Sequence, residues 1–206
     1  MTAKRPAVRL PSLRIAVLID APAWTKRSPD VAAHVRKFAR AAVKAAIADG
    51  APSPAKTRPW TLTVLLADDA ALKSLNHDFR GKAKPTNVLS FPAWEAAPSG
   101  QRRHGQEPIN LGDIAVALTT TSVESRKQNK TLDDHLAHLT VHGVLHLFGY
   151  DHLDHSEAND MESLERAVLA RRGITDPYVL RPARKAAPQA RQQTRGRTRQ
   201  AARTRT

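Results

Sequence analysis

Three histidines with regular spacing are the residues of this chain best suited to chemistry. His142, His146 and His152 follow the pattern H-x3-H-x5-H. On a helix the first two point from the same face, because residues four apart lie one turn above each other. Neutral imidazoles this close together suit a borderline cation such as zinc. Three protein ligands leave a fourth position for water, which is typical of catalytic rather than structural zinc.

A turn must bring the third histidine back to the other two. Gly149 lies between His146 and His152, and a glycine easily adopts the positive φ that ends a helix. Apolar residues surround the histidine stripe, which predicts a buried zinc-binding helix rather than a His-rich surface helix. Buried imidazoles without partners would be costly, so burial also favours a metal site. These apolar residues are Leu132, Leu136, Leu139, Val141, Val144, Leu145, Leu147 and Phe148.

The segments around this helix predict an α+β (mixed α/β) fold, in which a small mixed β-sheet packs with about five helices. Runs rich in β-branched residues predict strands, and apolar residues at helical spacing predict helices. The two kinds of element do not alternate strictly, so a regular βαβ array is not expected. Predicted strands cover residues 13–20, 60–66, 88–91 and 111–117, and predicted helices cover 31–48, 69–79, 119–127, 132–148 and 155–171.

Length and composition limit the possible classes of protein. A chain of 206 residues is long enough for one domain with a sizeable core. It contains no cysteine, which excludes a disulfide framework and thiolate metal ligands. No apolar run is long enough to span a membrane, and the N-terminus lacks the apolar region of a signal peptide. We therefore predict a cytoplasmic protein without a membrane partner.

Basic residues concentrate at the end of the chain. The formal net charge is +14, and residues 181–206 hold nine of the 33 Lys and Arg residues and no acid. This segment has too few large apolar side chains for a core, so we predict an Arg-rich disordered tail. Arg pairs well with phosphate, which favours an RNA-binding arm over a merely solubilising tail. Residues 1–12 are predicted to be a disordered basic leader, and residues 13–180 the folded domain.

Three blocks of the sequence resemble the YbeY family of ribosomal RNA maturation factors, which are metal-dependent endoribonucleases. The resemblance covers roughly residues 13–178, and its first and third blocks are the most specific. Three segments lie outside it: the leader, the tail and a polar loop at 93–109. This loop is either a mobile flap or an insertion. The blocks are FRGKAKPTNVLSFP at 79–92, LGDI at 111–114, and HLAHLTVHGVLHLFGYDH at 135–152.

The resemblance implies specific roles for residues in the first and third blocks. It implies that the three histidines bind one zinc ion. It also implies that Arg80 is the functional, catalytic arginine near the metal cleft, with Lys82 and Lys84 as neighbouring substrate-binding cations. Where the family has Tyr-Arg this chain has Phe-Arg, and where it usually has Lys-Asp-Lys this chain has Lys-Ala-Lys. Neither difference removes the arginine or its flanking charges, so we expect the activity to be retained.

The family's activity implies a single-strand-specific, zinc-dependent endoribonuclease. The expected role is ribosomal RNA processing at the 3′ end of the 16S RNA, with ribosome quality control as a related duty. The expected partners are ribosomal RNA, pre-ribosomal and 70S particles, a small-subunit ribosomal protein and an assembly GTPase.

Zinc and Arg80 together suit the cleavage of a phosphodiester bond. Zinc with three neutral imidazoles keeps its positive charge and lowers the pKa of bound water to about 7. A guanidinium shares the negative charge that develops at phosphorus. The attacking group is either this water or the 2′-hydroxyl of the RNA.

Other polar residues near the ligands have more than one possible role. Asp151 and Asp154 flank His152, and each either orients a ligand or is a solvated or capping residue. His135 and His138 lie on the same helical stripe as the ligands. We expect them first as packed core groups, then as substrate-facing groups, and last as groups that support the ligands.

Two other functions fit part of the pattern. The spacing H-x3-H-x2-G-x2-H is that of the metzincin metalloproteases, but their general base is a Glu directly after the first His. Here that position is Gly143, which cannot take a proton from water. A ribosome-assembly factor that binds RNA and protein around a structural zinc fits the lack of an obvious general base in the sequence. A metal-dependent cleavage product distinguishes the nuclease from this assembly factor.

Overall fold

The chain forms a mixed β-sheet packed with helices, which confirms the α+β prediction. The computed structural model describes residues 11–94 and 107–179. Most of the predicted leader, most of the polar loop and the whole predicted tail lie outside the described residues. Within these, the strands are β1 (Leu13–Ile19), β2 (Trp60–Ala67), β3 (Val88–Pro92) and β4 (Ile109–Ala117), and the helices are α1 (Ala23–Arg27), α2 (Val31–Asp49), α3 (Asp69–Arg80), α4 (Leu118–Lys127), α5 (Leu132–Leu147) and α6 (His155–Ala170).

The sheet has the strand order β1–β2–β4–β3. β1 pairs with β2, and β2 with β4, in parallel, whereas β3 runs antiparallel to β4. Facing residues include Val17 and Val64 in the parallel part, and Ser90 and Ile114 in the antiparallel part. Among the strands that the structure describes, β3 is therefore at the edge of the sheet.

Helices α2 and α5 pack with one face of the sheet to form the main core. Alternate side chains of β2 point to this face, as the two-residue period of a strand requires, and Trp60, Leu62 and Leu66 are buried there. Helix α5 contacts α2, α4, α6, β3 and β4. Ten of its 16 residues are buried, so the helix that carries the histidines is buried as predicted.

Helix α3 covers part of the opposite face of the sheet. Its Leu72 and Leu75 pack with Leu89 of β3 in a second, smaller cluster. Asp68 begins the helix as its N-cap, because its side chain accepts a hydrogen bond from the Ala71 amide at 2.9 Å. The edge strand β3 therefore has α5 packed on one face and α3 on the other.

One described helix is not predicted by the sequence pattern. Helix α1 spans five residues after Pro22, which are too few for apolar periodicity to show. It buries Trp24, whose indole N–H donates to the carbonyl of Ala67 at 3.1 Å.

Other boundaries differ from the predicted ones by only one or two residues, as is usual at helix and strand ends. In the described ranges, no helix has the length and apolar character needed to cross a bilayer.

Candidate metal centre

The end of α5 and the turn that follows bring the three histidines together. His142 and His146 lie one turn apart in α5. Gly149 has a φ of +82°, and its amide donates to the carbonyl of His146 at 3.1 Å. The chain then reverses and places the ring of His152 beside that of His142, with centroids 5.6 Å apart. The predicted glycine turn is therefore confirmed.

The three imidazoles form a cluster that could hold a metal ion. One ligand atom from each ring lies within 4.8 Å of the other two. The Nε2 atoms of His142 and His146 are 3.1 Å apart, so both point into the same space. These two rings are half-buried and His152 is exposed, so the cluster opens to solvent. Three nitrogen donors with an open side are typical of a catalytic metal site rather than of a closed structural one.

The ring of His146 is neutral at neutral pH. Burial lowers its pKa, and the neighbouring rings of His142 and His152 lower it further, to about 4. The carboxylate of Asp151, whose Oδ1 lies 4.0 Å from Nδ1 of His146, opposes this shift only in part. A neutral imidazole keeps the lone pair that a metal ion needs. The lowered pKa therefore favours metal binding over protonation.

A buried carboxylate that the sequence pattern does not predict lies behind the cluster. Glu165 of α6 is fully buried. Its Oε1 accepts a hydrogen bond from Nδ1 of His142 at 2.8 Å, and its Oε2 accepts one from Nε2 of His138 at 2.8 Å. The hydroxyl of Tyr178 also donates to Oε2. Because Nδ1 of His142 donates to the carboxylate, its Nε2 keeps the lone pair that faces the cluster.

Glu165 stays ionised although it is buried. Burial raises the pKa of its carboxyl, but the hydrogen bonds from His138 and His142 outweigh burial and lower the pKa to about 2. A carboxylate that accepts from a ligand histidine fixes the ring orientation and makes the opposite nitrogen more basic. The sequence does contain a signal for this residue, because Glu165 interrupts the apolar stripe of α6 between Met161 and Leu169.

His135 belongs to a second network, which joins α5 to α4 and to the residue before β3. Its Nε2 lies 2.8 Å from Oε2 of Glu124, and the side-chain amide of Asn87 donates to the same oxygen at 2.9 Å. Burial raises the pKa of Glu124, but the hydrogen bonds from His135 and Asn87 lower it overall. His135 is buried and takes the first of its expected roles, as a core group. His138 instead contacts Glu165 and so supports the ligands indirectly.

The edge strand β3 lies against the part of α5 that carries His142 and His146. The Ser90 hydroxyl donates to the carbonyl of Gly143 at 3.1 Å, and the Trp94 indole donates to the carbonyl of Leu147 at 2.7 Å. Gly143 permits this close approach, because a Cβ there would lie 3.0 Å from Cγ2 of Ile114. The position after the first histidine thus faces the sheet, where the glutamate of a metalloprotease would have no room.

The two acids beside His152 have different surroundings. The carboxylate of Asp151 accepts a hydrogen bond from the His152 amide at 2.8 Å and lies 4.0 Å from the ring of His146. Asp154 begins α6, because its Oδ1 accepts hydrogen bonds from two amides in the first turn of that helix. Asp154 is therefore a capping residue, and Asp151 is the acid in position to orient a ligand.

The basic residues of the first sequence block lie on a different element from the histidines. Arg80 is the last residue of α3, and Lys82 and Lys84 follow in the loop. All three are exposed. Because α3 packs on the face of the sheet opposite to α5, the structure places these cations across β3 from the histidine helix. The sequence blocks thus meet at β3, with the histidines clustered and the cations on the neighbouring surface.

The elements that carry this site lie within a region similar to known proteins. A sequence model of the family described as Endoribonuclease YbeY matches residues 24–173. A relative of that description from Paramagnetospirillum magneticum is 46% identical over 170 residues, which cover 81% of this chain and 96% of the relative. Another, from Bradyrhizobium diazoefficiens, is 44% identical over 166 residues, with 81% and 85% coverage. The solution structure of TM1509 from Thermotoga maritima is 20% identical over 77% of this chain and 91% of that one, with a TM-score of 0.43. Since the family model spans most of the sequence, the chain belongs to the family described as Endoribonuclease YbeY.

Proposed function

We propose that this chain is a zinc-dependent endoribonuclease that cleaves single-stranded ribosomal RNA. The observation that carries the proposal is the cluster of His142, His146 and His152, with Glu165 hydrogen-bonded behind it. The relatives named above are described as endoribonucleases, which supports RNA as the substrate. The surface cations Arg80, Lys82 and Lys84 also suit RNA, because they can bind its phosphates.

Three imidazole nitrogens are the atoms that would hold the zinc ion. Nitrogen donors in a site with an open side suit zinc better than magnesium or calcium, which prefer oxygen donors. When bound, the ion supplies Lewis-acid chemistry, which offsets negative charge at a phosphate and makes water more acidic. Glu165 contributes by holding Nδ1 of His142, so that Nε2 of this ring stays directed to the cluster.

Arg80, Lys82 and Lys84 would bind the RNA backbone. A guanidinium can donate two parallel hydrogen bonds to one phosphate, whereas an ammonium acts as a point charge. Arg80 is therefore the residue that would share the negative charge of the reacting phosphate, and the two lysines would hold neighbouring phosphates. A single strand that passes over the outer side of β3 could contact the cations on one face and the histidine cluster on the other.

The proposed cellular role is maturation of the 16S ribosomal RNA at its 3′ end, with ribosome quality control as a related duty. Proposed partners are pre-ribosomal and 70S particles, a small-subunit ribosomal protein and an assembly GTPase, all in the cytoplasm. The family membership and the net charge of +14 support a partner made of RNA. We further propose that residues 13–180 are the nuclease domain, between a basic leader at 1–12 and an RNA-binding tail at 181–206.

The small number of proton acceptors among the described residues near the cluster favours a second candidate, a ribosome-assembly factor with a structural zinc. A hydrolytic site usually has a carboxylate or imidazole that can accept a proton from the attacking group. Glu165 is a poor candidate for this, since it is fully buried and both its oxygens already accept hydrogen bonds. Asp151 is left as the candidate proton acceptor, because its carboxylate is partly exposed and lies near His146. A test of cleavage therefore decides between the two candidates.

Arg80→Ala is expected to lower the rate of cleavage of single-stranded ribosomal RNA by roughly 100-fold, as is typical when one donor to a developing charge is removed. Metal content should be unchanged, because Arg80 lies on α3 and is not one of the clustered histidines. The measurement is a gel assay of purified, metal-analysed protein. Arg14→Ala is the matched control, since Arg14 is an exposed arginine in β1, at the opposite edge of the sheet.

Two results would contradict the nuclease proposal. Equal product yields from wild type, Arg80→Ala and a histidine-ligand variant would identify the activity as a contaminant. The chain would then be better described as a zinc-stabilised RNA-binding assembly factor. Equal losses in Arg80→Ala and Arg14→Ala would show that surface charge in general, and not Arg80, supports cleavage.

Glu165→Gln is expected to weaken zinc binding by roughly 10- to 100-fold, the usual effect of changing a group that orients a ligand histidine. The amide keeps the size of the side chain but replaces one acceptor oxygen by a donor, which cannot accept from His142 or His138. Competition with a chromophoric chelator measures the affinity. Glu162→Gln is the control, because Glu162 lies in the same helix and pairs with Arg166 instead, at 2.6 Å. Matching affinities in the two variants would refute the positioning role of Glu165.

Deletion of residues 181–206 is expected to weaken RNA binding and to flatten its dependence on salt. Each phosphate contact to a single strand contributes about 0.7 to the slope of log K against log salt concentration. The nine Lys and Arg residues of the tail make a loss of several such contacts measurable by filter binding. A full-length chain with these residues replaced by Gln separates charge from length. An unchanged slope in both proteins would exclude the tail from RNA binding.

A further inference from the structure

The most exposed aromatic ring of the described chain lies beside the basic loop. Phe79 is 68% exposed, although a ring of this size gains free energy from burial. Its contact is with the ring of Phe91 in β3, at a centroid distance of 4.9 Å and an interplanar angle of 61°. This edge-on contact leaves most of the Phe79 ring open to solvent. We refer to the two rings as the aromatic platform.

The end of α3 fixes the platform and the loop relative to each other. Gly81 has a φ of +66° and ends the helix. The buried side chain of Asn76 donates to the carbonyl of Lys84 at 2.8 Å, and the amide of Lys82 donates to the carbonyl of Asn76 at 3.2 Å. Both bonds hold the loop against the helix that carries Phe79. The backbone of the loop therefore keeps a set position relative to the helix that carries Phe79.

The charges around the platform are arranged for a nucleotide. Arg80, Lys82 and Lys84 follow Phe79 within five residues and are exposed, so phosphates are attracted to this loop. Asp113 of β4 is also exposed, and it faces Phe91 in register. Its carboxylate repels phosphate but can accept a hydrogen bond from the amino group of a base. The backbone of a bound strand thus belongs over the loop, and a base over the ring.

The platform lies across a single strand from the candidate metal centre. Neighbouring side chains in a strand point to opposite faces. Ser90 points to α5, where its hydroxyl donates to the carbonyl of Gly143 beside His142. Phe91, the next residue, points to the other face and contacts Phe79. β3 therefore lies between the aromatic platform and the part of α5 that carries His142.

We propose that Phe79, supported by Phe91, is a platform on which an unpaired base of the RNA substrate stacks. The proposal rests on the proposed function in taking RNA as the substrate, and it adds the site that would favour a single strand. A base in a duplex is already stacked on its neighbours, so the open ring offers an advantage only to an unpaired base.

Binding to a short 2′-O-methyl single-stranded RNA, checked for integrity by gel, tests the platform without cleavage. Phe79→Ala in the zinc-loaded full chain is expected to weaken binding about tenfold, within the range for one base on one ring. The slope of log K against log salt concentration should stay unchanged, because no phosphate contact is lost. Lys84→Ala should instead lower this slope by about 0.7. Phe79→Tyr should retain the affinity, and Phe79→Leu should not.

Two controls separate stacking from a general surface effect. Leu18→Ala removes a similar exposed apolar side chain, 53% exposed, from β1 at the other edge of the sheet, and should bind as wild type does. The duplex of the same RNA should show no difference between wild type and Phe79→Ala. In a Phe79→Trp chain, the single strand should quench the added tryptophan fluorescence, and the duplex should not.

The outcomes are distinct from those for the nuclease proposal. Wild-type affinity of Phe79→Ala for the single strand, or an equal loss for single strand and duplex, would overturn the stacking platform. The protein could lack cleavage activity and still bind single-stranded RNA with an affinity that depends on the Phe79 ring. This result would support the stacking platform and contradict only the nuclease proposal. If Phe79→Ala fails to fold, as judged by circular dichroism, the comparison of Phe79→Tyr with Phe79→Leu decides.

Discussion

His146→Ala is expected to remove metal binding and RNA cleavage together. The substitution takes away one of three nitrogens that lie within 4.8 Å of one another. Changing a group that merely orients a ligand costs roughly 10- to 100-fold in affinity, so the loss of a ligand itself should exceed 100-fold. Metal analysis after dialysis and a single-turnover cleavage assay measure the two effects. His155→Ala is the control, because His155 is exposed and follows His152 closely in the sequence but is not a member of the cluster.

The stability of His146→Ala distinguishes a catalytic from a structural ion. The ring of His146 is half-buried and opens to solvent with the rest of the cluster, so the variant should remain folded without metal. A midpoint of thermal unfolding close to that of the metal-free wild type would agree with a catalytic site. Collapse of the fold in both metal-free proteins would favour the assembly factor with a structural zinc, since such sites supply folding free energy. Full zinc content in the variant would refute the ligand assignment.

Gly112→Ala is expected to destabilise the protein by roughly 3–5 kcal/mol, from backbone strain and overpacking together. Gly112 has a φ of +139°, which L side chains rarely adopt. A Cβ would also overlap the carbonyl oxygen of Phe91 and lie 2.9 Å from Cδ2 of Leu147. The first neighbour is backbone of β3 and cannot move without shifting the strand. Urea unfolding followed by circular dichroism measures the change in the free energy of unfolding.

Gly50→Ala is the matched control for this experiment. Gly50 ends α2 with a φ of +100°, but nothing lies within 4 Å of an added Cβ. Its substitution should cost only the strain, about 1–2 kcal/mol. The difference between the two losses of unfolding free energy then measures the cost of the steric overlap of a Cβ at position 112 with β3 and α5. If both variants lose the same free energy, β3 is able to move away, and the close packing of the edge strand is not essential to the fold.

The parts of the site that sequence could predict depend on local rules. The spacing of His142 and His146 fixes their common helix face, and Gly149 allows the reversal that returns His152. The mixed sheet follows from apolar runs whose period is visible in short windows. Each of these features is encoded within a few residues, so no knowledge of the tertiary structure is needed to infer it.

The parts that sequence could not predict depend on contacts between distant segments. The apolar stripe of α6 marks Glu165 as unusual, but its hydrogen bond to His142, 23 residues away, is not visible in the sequence. The separation of Arg80 from the histidines by β3 depends on which sheet face α3 covers. Gly143 could be interpreted from sequence only as a missing catalytic acid. In the structure, it is the small residue that lets β3 and β4 approach α5.

The contacts of Tyr178 set an order of events during synthesis of the chain. Tyr178 donates a hydrogen bond to Glu165, and Lys130 donates one to the carbonyl of Pro177. These two bonds hold the last described segment against α6 and the start of α5, near the histidine cluster. All three histidines emerge from the ribosome before α6 and this segment. The carboxylate that orients His142 therefore reaches its final surroundings only after residue 178 is available. If the cluster binds a metal ion as proposed, we expect full affinity for this ion to be among the last properties that a newly made molecule acquires.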